Sequence, residues 1–223
     1  MKPYNIQYCL VCLVLSLCAC LATQAEELKP QGVSVEDIVP AGWLHKEVQG
    51  DLNKDGIPDL VVVATPDDVE NTITRSDGYV YNFNQPILAI YFGTAQGQFH
   101  QWKAYDNVVP GDDSENCNHD VSLVITDRGV IRITIELFCS AGSYGVSNDT
   151  YAYRYQNGDF YLIGMDREEM LRTTGTDTLV SENYLTWKRQ TMVSNVFDDS
   201  VPATEKWTRL TKKPLEKLGA REL

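Results

Sequence analysis

The sequence predicts a mainly β protein: an antiparallel, sandwich-like meander with little helix, forming a single domain over residues 26–223. Three observations carry this expectation. The apolar runs Leu60–Ala64 and Ile87–Phe92 have the length and composition of buried strands. Two pairs of alternating segments flank the glycine-containing turns Asp127-Arg128-Gly129 and Asn157-Gly158, which are of hairpin type. No low-complexity linker divides the chain, and 223 residues suffice for one sizeable core.

Residues 1–25 read as a secretory signal peptide. Lys2 supplies a positive start, Cys9–Leu21 is apolar but short for a membrane span, and Thr23-Gln24-Ala25 offers small residues before a cut at Glu26. Leu17-Cys18-Ala19-Cys20 also matches a lipobox, which leaves open an outer-membrane lipoprotein anchored at Cys20, the one membrane association the sequence suggests. Both readings imply an exported chain, periplasmic or secreted. Cys9, Cys12, Cys18 and Cys20 lie in the leader, so Cys117 and Cys139 are the mature pair, and in an oxidising compartment they form a disulfide.

After the leader, residues 26–49 form a polar arm in which Pro40 and Gly42 argue against a helix and Trp43 anchors the arm on the domain. Leu60–Ala64 is a strand covered on both faces. Residues 66–85 are a long surface loop with an edge strand at Tyr79–Phe83, and loops of that size are often functional. Ile87–Phe92 and Phe99–Lys103 are strands on either side of the Gly97 turn.

The hairpins can be built residue by residue. A three-residue loop ending in Gly129 suits a type I turn with a glycine bulge. Ile125 then faces Ile131, Leu123 faces Ile133 and Val121 faces Ile135, an all-apolar face that supports the register. Carried outward, the same ladder sets Cys117 opposite Cys139 at a non-hydrogen-bonded position, close enough for a disulfide. In the second hairpin, Asn157-Gly158 places Tyr155 opposite Phe160 and Tyr153 opposite Leu162. Further on, Asp166–Leu171 is expected to make one helical turn, Tyr184–Met192 and Lys206–Leu210 are strands, and Pro214–Leu218 is a short helix stopped by Gly219.

One stretch carries chemistry. Asp51, Asn53, Asp55 and Asp59 stand at positions 1, 3, 5 and 9 of a D-x-N-x-D-G-x-x-D pattern, with Gly56 at the sharp turn and the Ile57 carbonyl at position 7. Alternating oxygen side chains on a backbone that wraps a centre suit calcium, whereas Val62 replaces the bidentate glutamate of an EF-hand and a strand replaces its exiting helix. The bland alternative is a tight acidic turn whose side chains bond their own backbone. Gly50–Val63 resembles the calcium loop of FG-GAP/VCBS repeats, and Ile87–Gly93 followed by Gly97-Gln98-Phe99 resembles the second strand and ending of such a repeat, so the similarity spans residues 50–99. The resemblance implies calcium held by Asp51, Asn53, Asp55, the Ile57 carbonyl and Asp59, in a structural role. Only one copy of the loop is present, which excludes a full propeller.

With 31 acidic against 19 basic residues and a net charge of -12, the chain is a poor match for nucleic acid. Cys117 and His119 are adjacent but the thiol is tied up, and Glu115 and Glu136 have no fixed separation, so the sequence contains no catalytic constellation. Tyr151, Tyr153 and Tyr155 make a period-two stripe that is either half-buried core or a binding face. The expectation is a calcium-stabilised, non-enzymatic module that binds a protein or a glycan, with 66–85 and 140–149 as candidate recognition loops. The alternatives are a periplasmic inhibitor or immunity protein acting on a basic enzyme and, ranked last, a hydrolase.

Overall fold

A computed structural model describes residues 27–112, 114–141 and 144–223. The signal-peptide and Cys20 readings fall outside these residues. The chain opens with β1 (Gln31–Gly32) and a single helical turn, α1 (Val35–Ile38), then lays down β2 (Leu44–Gly50) and β3 (Asp59–Thr65). A short ribbon, β4 (Thr72–Thr74) with β5 (Val80–Asn82), precedes β6 (Ile87–Gly93) and β7 (Phe99–Tyr105). Seven strands follow: β8 (Cys117–Ile125), β9 (Val130–Cys139), β10 (Gly145–Gln156), β11 (Asp159–Leu171), β12 (Thr176–Asn183), β13 (Lys188–Asn195) and β14 (Thr204–Arg209).

The strands form two principal antiparallel sheets. One has the order β1-β7-β6-β3-β2; the other is an uninterrupted meander from β8 to β14. They pack face to face, with Val61, Val63, Leu88 and Ile90 of the first against Ile131, Ile133, Tyr153, Phe160 and Leu162 of the second. The far face of the first sheet, Leu60, Val62, Ala64, Ala89 and Tyr91, is covered by Val35, Ile38, Val39 and Trp43. Both faces of β3 are therefore buried, as its unbroken apolar run requires. The result is a mainly β, single-domain, sandwich-like fold and not a propeller.

The hairpin registers hold. Ile125 pairs with Ile131, Leu123 with Ile133, Val121 with Ile135 and Cys117 with Cys139; in the second hairpin Tyr155 pairs with Phe160 and Tyr153 with Leu162. Other segments depart from expectation. Asp166–Leu171 is not a helical turn but the end of β11, because β10 on one side and β12 on the other take its backbone hydrogen bonds. Residues 214–218 run extended across β11, where Leu162 N donates to the Glu216 carbonyl (2.8 Å) and Leu218 N to the Phe160 carbonyl (2.9 Å). The 26–49 arm holds the turn α1, capped by Ser34 and ended before Pro40, and the full strand β2. The expected strand at Tyr184 starts at Lys188, since the Asn183 side chain accepts from Leu185 N (3.0 Å) and Thr186 N (2.9 Å) and closes a turn.

Candidate functional site

The acidic loop sits at a corner where the two sheets meet. Its side chains fold back on its own amides. Asp51 accepts from Lys54 N (2.7 Å) and Gly56 N (3.1 Å), Asn53 from Asp55 N (2.9 Å), and Asp55 from Ile57 N (2.8 Å). Positive φ at Lys54 (69°) and Gly56 (86°) produces the wrap. The Lys54 ammonium reaches across to the Asp127 carbonyl (3.2 Å), and a Cβ on Gly129 would stand 2.6 Å from the Asp51 carbonyl. The loop is thus seated on the turn between β8 and β9.

Asp59 behaves differently from its neighbours. It is fully buried, and its two oxygens accept from Leu52 N (2.8 Å) and Gly93 N (2.9 Å). Burial pushes its carboxyl above the usual range, against the opposing pull of those amide bonds. It therefore fastens the start of β3 both to the loop and to the end of β6, where a Cβ on Gly93 would stand 2.1 Å from the Pro58 carbonyl. Among the described residues no group of three or more His, Cys, Asp or Glu side chains is gathered as a metal cluster. The structure brings Asp51, Asn53 and Asp55 together and turns Asp59 inward from the same loop. The donor set still suits a hard cation: each bonded carboxylate or amide oxygen keeps a second lone pair, and the Ile57 carbonyl lies on the same loop. The self-bonded turn needs the same amide contacts, so these bonds are common to both readings.

The second site is the far end of the same hairpin. Cys117 and Cys139 are joined, with Cα atoms 4.0 Å apart. From Cys139 on, the chain is anchored by further hydrogen bonds. Ser140 N donates to the Asn116 carbonyl (2.7 Å), the Arg172 guanidinium to the Cys139 carbonyl (2.7 Å), and Arg172 N to the Tyr144 carbonyl (2.9 Å). The guanidinium also lies 4.9 Å over the Phe138 ring. The backbone at Tyr144 is held while its side chain stands free, 70% exposed. Gly145 begins β10, so residues 145–149 of the recognition loop expected over 140–149 are strand.

The other loop, 66–85, is more ordered than its sequence suggests. Asn84 is buried and ties the segment together, donating to the Asp68 carbonyl (3.0 Å) and accepting from Asn71 (3.0 Å). Tyr79, Tyr81 and Phe83 line up along it, with ring centroids 4.8 and 6.1 Å apart. The Tyr151–Tyr155 stripe is core and not a binding face: Tyr151 and Tyr153 are buried, and Tyr155 packs on Phe92, Trp102 and Phe160. Burial accordingly pushes the Tyr153 hydroxyl well above its ordinary value.

An open groove of about 770 Å³ lies on the uncovered face of the seven-stranded sheet. An Arg132–Asp166 ion pair (3.0 Å) spans its floor, and Asn183, Lys188, Gln190 and Trp207 line one side. Its described lining holds neither histidine nor cysteine. His119 lies elsewhere, its amide donating to Asp112 (2.7 Å), while its neighbour Cys117 is in the disulfide. Sequence reasoning located Tyr144 only as part of a loop; what it lacked was Arg172, brought to Cys139 by the long β10–β11 hairpin.

No protein-family model, no curated protein and no solved structure matches the chain. The likeness of Gly50–Val63 to an FG-GAP/VCBS loop rests on its own residues.

Proposed function

We propose that the chain is an exported, non-enzymatic interaction module that recognises a protein through the Tyr144 loop, with calcium at Asp51, Asn53, Asp55, the Ile57 carbonyl and Asp59 as a structural pin. The observation that carries this reading is the exposed Tyr144 ring on a backbone held by a disulfide and by hydrogen bonds from Ser140 and Arg172. An aromatic side chain presented without loop-ordering entropy is the usual anatomy of a binding hot spot. Calcium bound at the corner would neutralise clustered carboxylates and hold the loop against the β8–β9 turn.

A second, sharper reading is favoured by the charge. A net charge of -12 favours encounter with a basic partner, and a tyrosine protruding from an anchored backbone suits insertion into a cleft. This describes a periplasmic inhibitor or immunity protein acting on a basic enzyme such as a lysozyme-like hydrolase. The test is calorimetric titration of the exported chain into basic cell-wall hydrolases, with lytic activity read in parallel. One-to-one binding that blocks lysis, weakens with salt and drops at least about 30-fold on Tyr144→Ala supports both readings. Binding that leaves lysis intact supports the module alone; a Tyr144→Ala variant that binds like wild type removes the loop from either.

A further inference from the structure

The seven-stranded sheet ends on an open edge. Among the described residues β14 pairs only with β13, all six of its residues are exposed, and its register with β13 runs without a bulge. Natural sheets blunt such edges with prolines, bulges, like-charged side chains or a covering segment, because a row of unpaired backbone groups templates another strand. Among the described residues no proline or bulge lies within β14, and its charges, Glu205, Lys206 and Arg209, are of mixed sign and do not form a repelling row. Instead the middle of the edge carries Trp207, 58% exposed.

The phase of the edge can be read. Leu210 N donates to the Trp187 carbonyl (2.8 Å), which makes that a hydrogen-bonded pair. Counting back along the strand, Thr208, Lys206 and Thr204 turn their backbone groups to β13, while Arg209, Trp207 and Glu205 turn theirs to solvent. The side chains of these last three share one face with Lys188, Gln190 and Met192, their partners across the β13 ladder, of which Lys188 and Gln190 line the groove described above. On that face Lys188 stands directly opposite Arg209, a like-charge pair in an acidic chain, and among the described residues neither has a carboxylate within ion-pair distance.

We propose that β14 is a homodimer interface, pairing antiparallel with β14 of a second copy to make one continuous sheet. Only registers that match outward-facing residues are allowed, and these can be ranked by charge. Trp207 opposite Trp207 of the second copy sets Glu205 against its Arg209, twice by symmetry. Shifting the pairing by one step either sets Glu205 against Trp207 or leaves it without a partner, and a further step opposes two glutamates. The favoured register makes about six backbone hydrogen bonds. It brings a carboxylate beside the uncompensated Lys188–Arg209 pair and stacks the two indoles at the dyad. The two grooves then join across the dyad into one polar surface.

Sedimentation equilibrium of the exported chain, up to about 500 μM, tests this. The expected result is a monomer–dimer equilibrium. Glu205→Arg and Arg209→Glu each raise the dissociation constant about 10-fold or more, since each substitution acts at two symmetric contacts. The double reversal E205R/R209E restores it to near wild type. Circular dichroism confirms folding of each variant, and the side chains exchanged are on an exposed strand. A chain that stays monomeric throughout, single reversals that leave dimerisation unchanged, or a double reversal as weak as the singles would each overturn the proposal.

Discussion

Replacing Asp59 with alanine isolates the one carboxylate that the acidic corner uses internally. Its oxygens accept from Leu52 N and Gly93 N, and both Asp59 and Leu52 are buried, so water cannot take over the bond to Leu52. Hydrogen bonds to a charged acceptor contribute about 1.5–3 kcal/mol each, and stranding a buried donor forfeits its desolvation as well. Desolvation has already pushed this carboxyl upward, which places the net effect toward the lower end. The expected loss is about 3–5 kcal/mol in chelator, or a fall of roughly 10 °C in melting temperature for a domain of this size. Urea unfolding followed by tryptophan fluorescence measures it, since Trp43 and Trp102 lie in or against the core. Repeating the pair in millimolar calcium separates the two roles of the residue. If calcium sits at this loop, the wild type gains stability on addition and Asp59→Ala gains far less. A loss below about 1 kcal/mol in chelator would refute the fastening role, and identical wild-type curves with and without calcium would refute the metal.

Two other predictions rest on single contacts. Removing the disulfide by Cys117→Ala with Cys139→Ala should lower stability by about 3 kcal/mol, the chain-entropy value for a sequence separation of 22, measured by denaturant unfolding. It should also weaken any partner that depends on Tyr144, because one of that loop's anchors is lost. The second concerns pH. Burial pushes the Glu182 carboxyl up, but bonds from the Tyr184 hydroxyl (2.5 Å) and the Arg189 guanidinium outweigh it and hold the group below its ordinary range. A depressed carboxylate contributes stability at neutral pH that is lost as pH falls from the ordinary value of 4.5 toward the folded one. Glu182→Gln should therefore destabilise at pH 7 and flatten the acid limb of the stability curve; an acid limb identical to wild type would count against this.

The parts of the fold visible in the sequence were those fixed over short distances. A glycine-ended turn and strict alternation determine the β8–β9 register, and with it the disulfide, because a slip of one residue would turn Ile131, Ile133 and Ile135 to solvent. β2 was hidden because it buries little of its own side-chain surface, so its pattern lacks a clear apolar period. Asp166–Leu171 misled for the opposite reason: its composition tolerates a helix, and only β10 and β12, contributed from elsewhere in the chain, decide for strand. The candidate sites divide the same way. The candidate oxygen ligands are local in sequence and could be named; the inward turn of Asp59 toward Gly93 and the Arg172 anchor at Cys139 depend on long-range packing.

The β8–β9 hairpin connects the two candidate sites mechanically. Its turn is the seat of the acidic loop, through Lys54 on the Asp127 carbonyl and the close approach of Gly129 to the Asp51 carbonyl. Its open end is clasped by Cys117–Cys139 and leads directly into the Tyr144 loop. Along its flank Lys46 of β2 forms an ion pair with Asp120 of β8, a further tie between the sheets. A cation at the corner would thus stiffen one end of a hairpin whose other end leads to Tyr144, the proposed recognition residue. The two ends lie about eight residues apart, roughly 27 Å of extended chain, and the buried ladder of Ile131, Ile133 and Ile135 runs between them. The Tyr144 end has its own anchors in the Cys117–Cys139 bond, Ser140 and Arg172, so chelation should lower melting temperature much more than it lowers partner affinity, while Tyr144→Ala should do the reverse. On the proposed reading stability and recognition fall at opposite ends of one hairpin, so the partner is to be sought at Tyr144 and not at the acidic loop, the most legible motif in the chain.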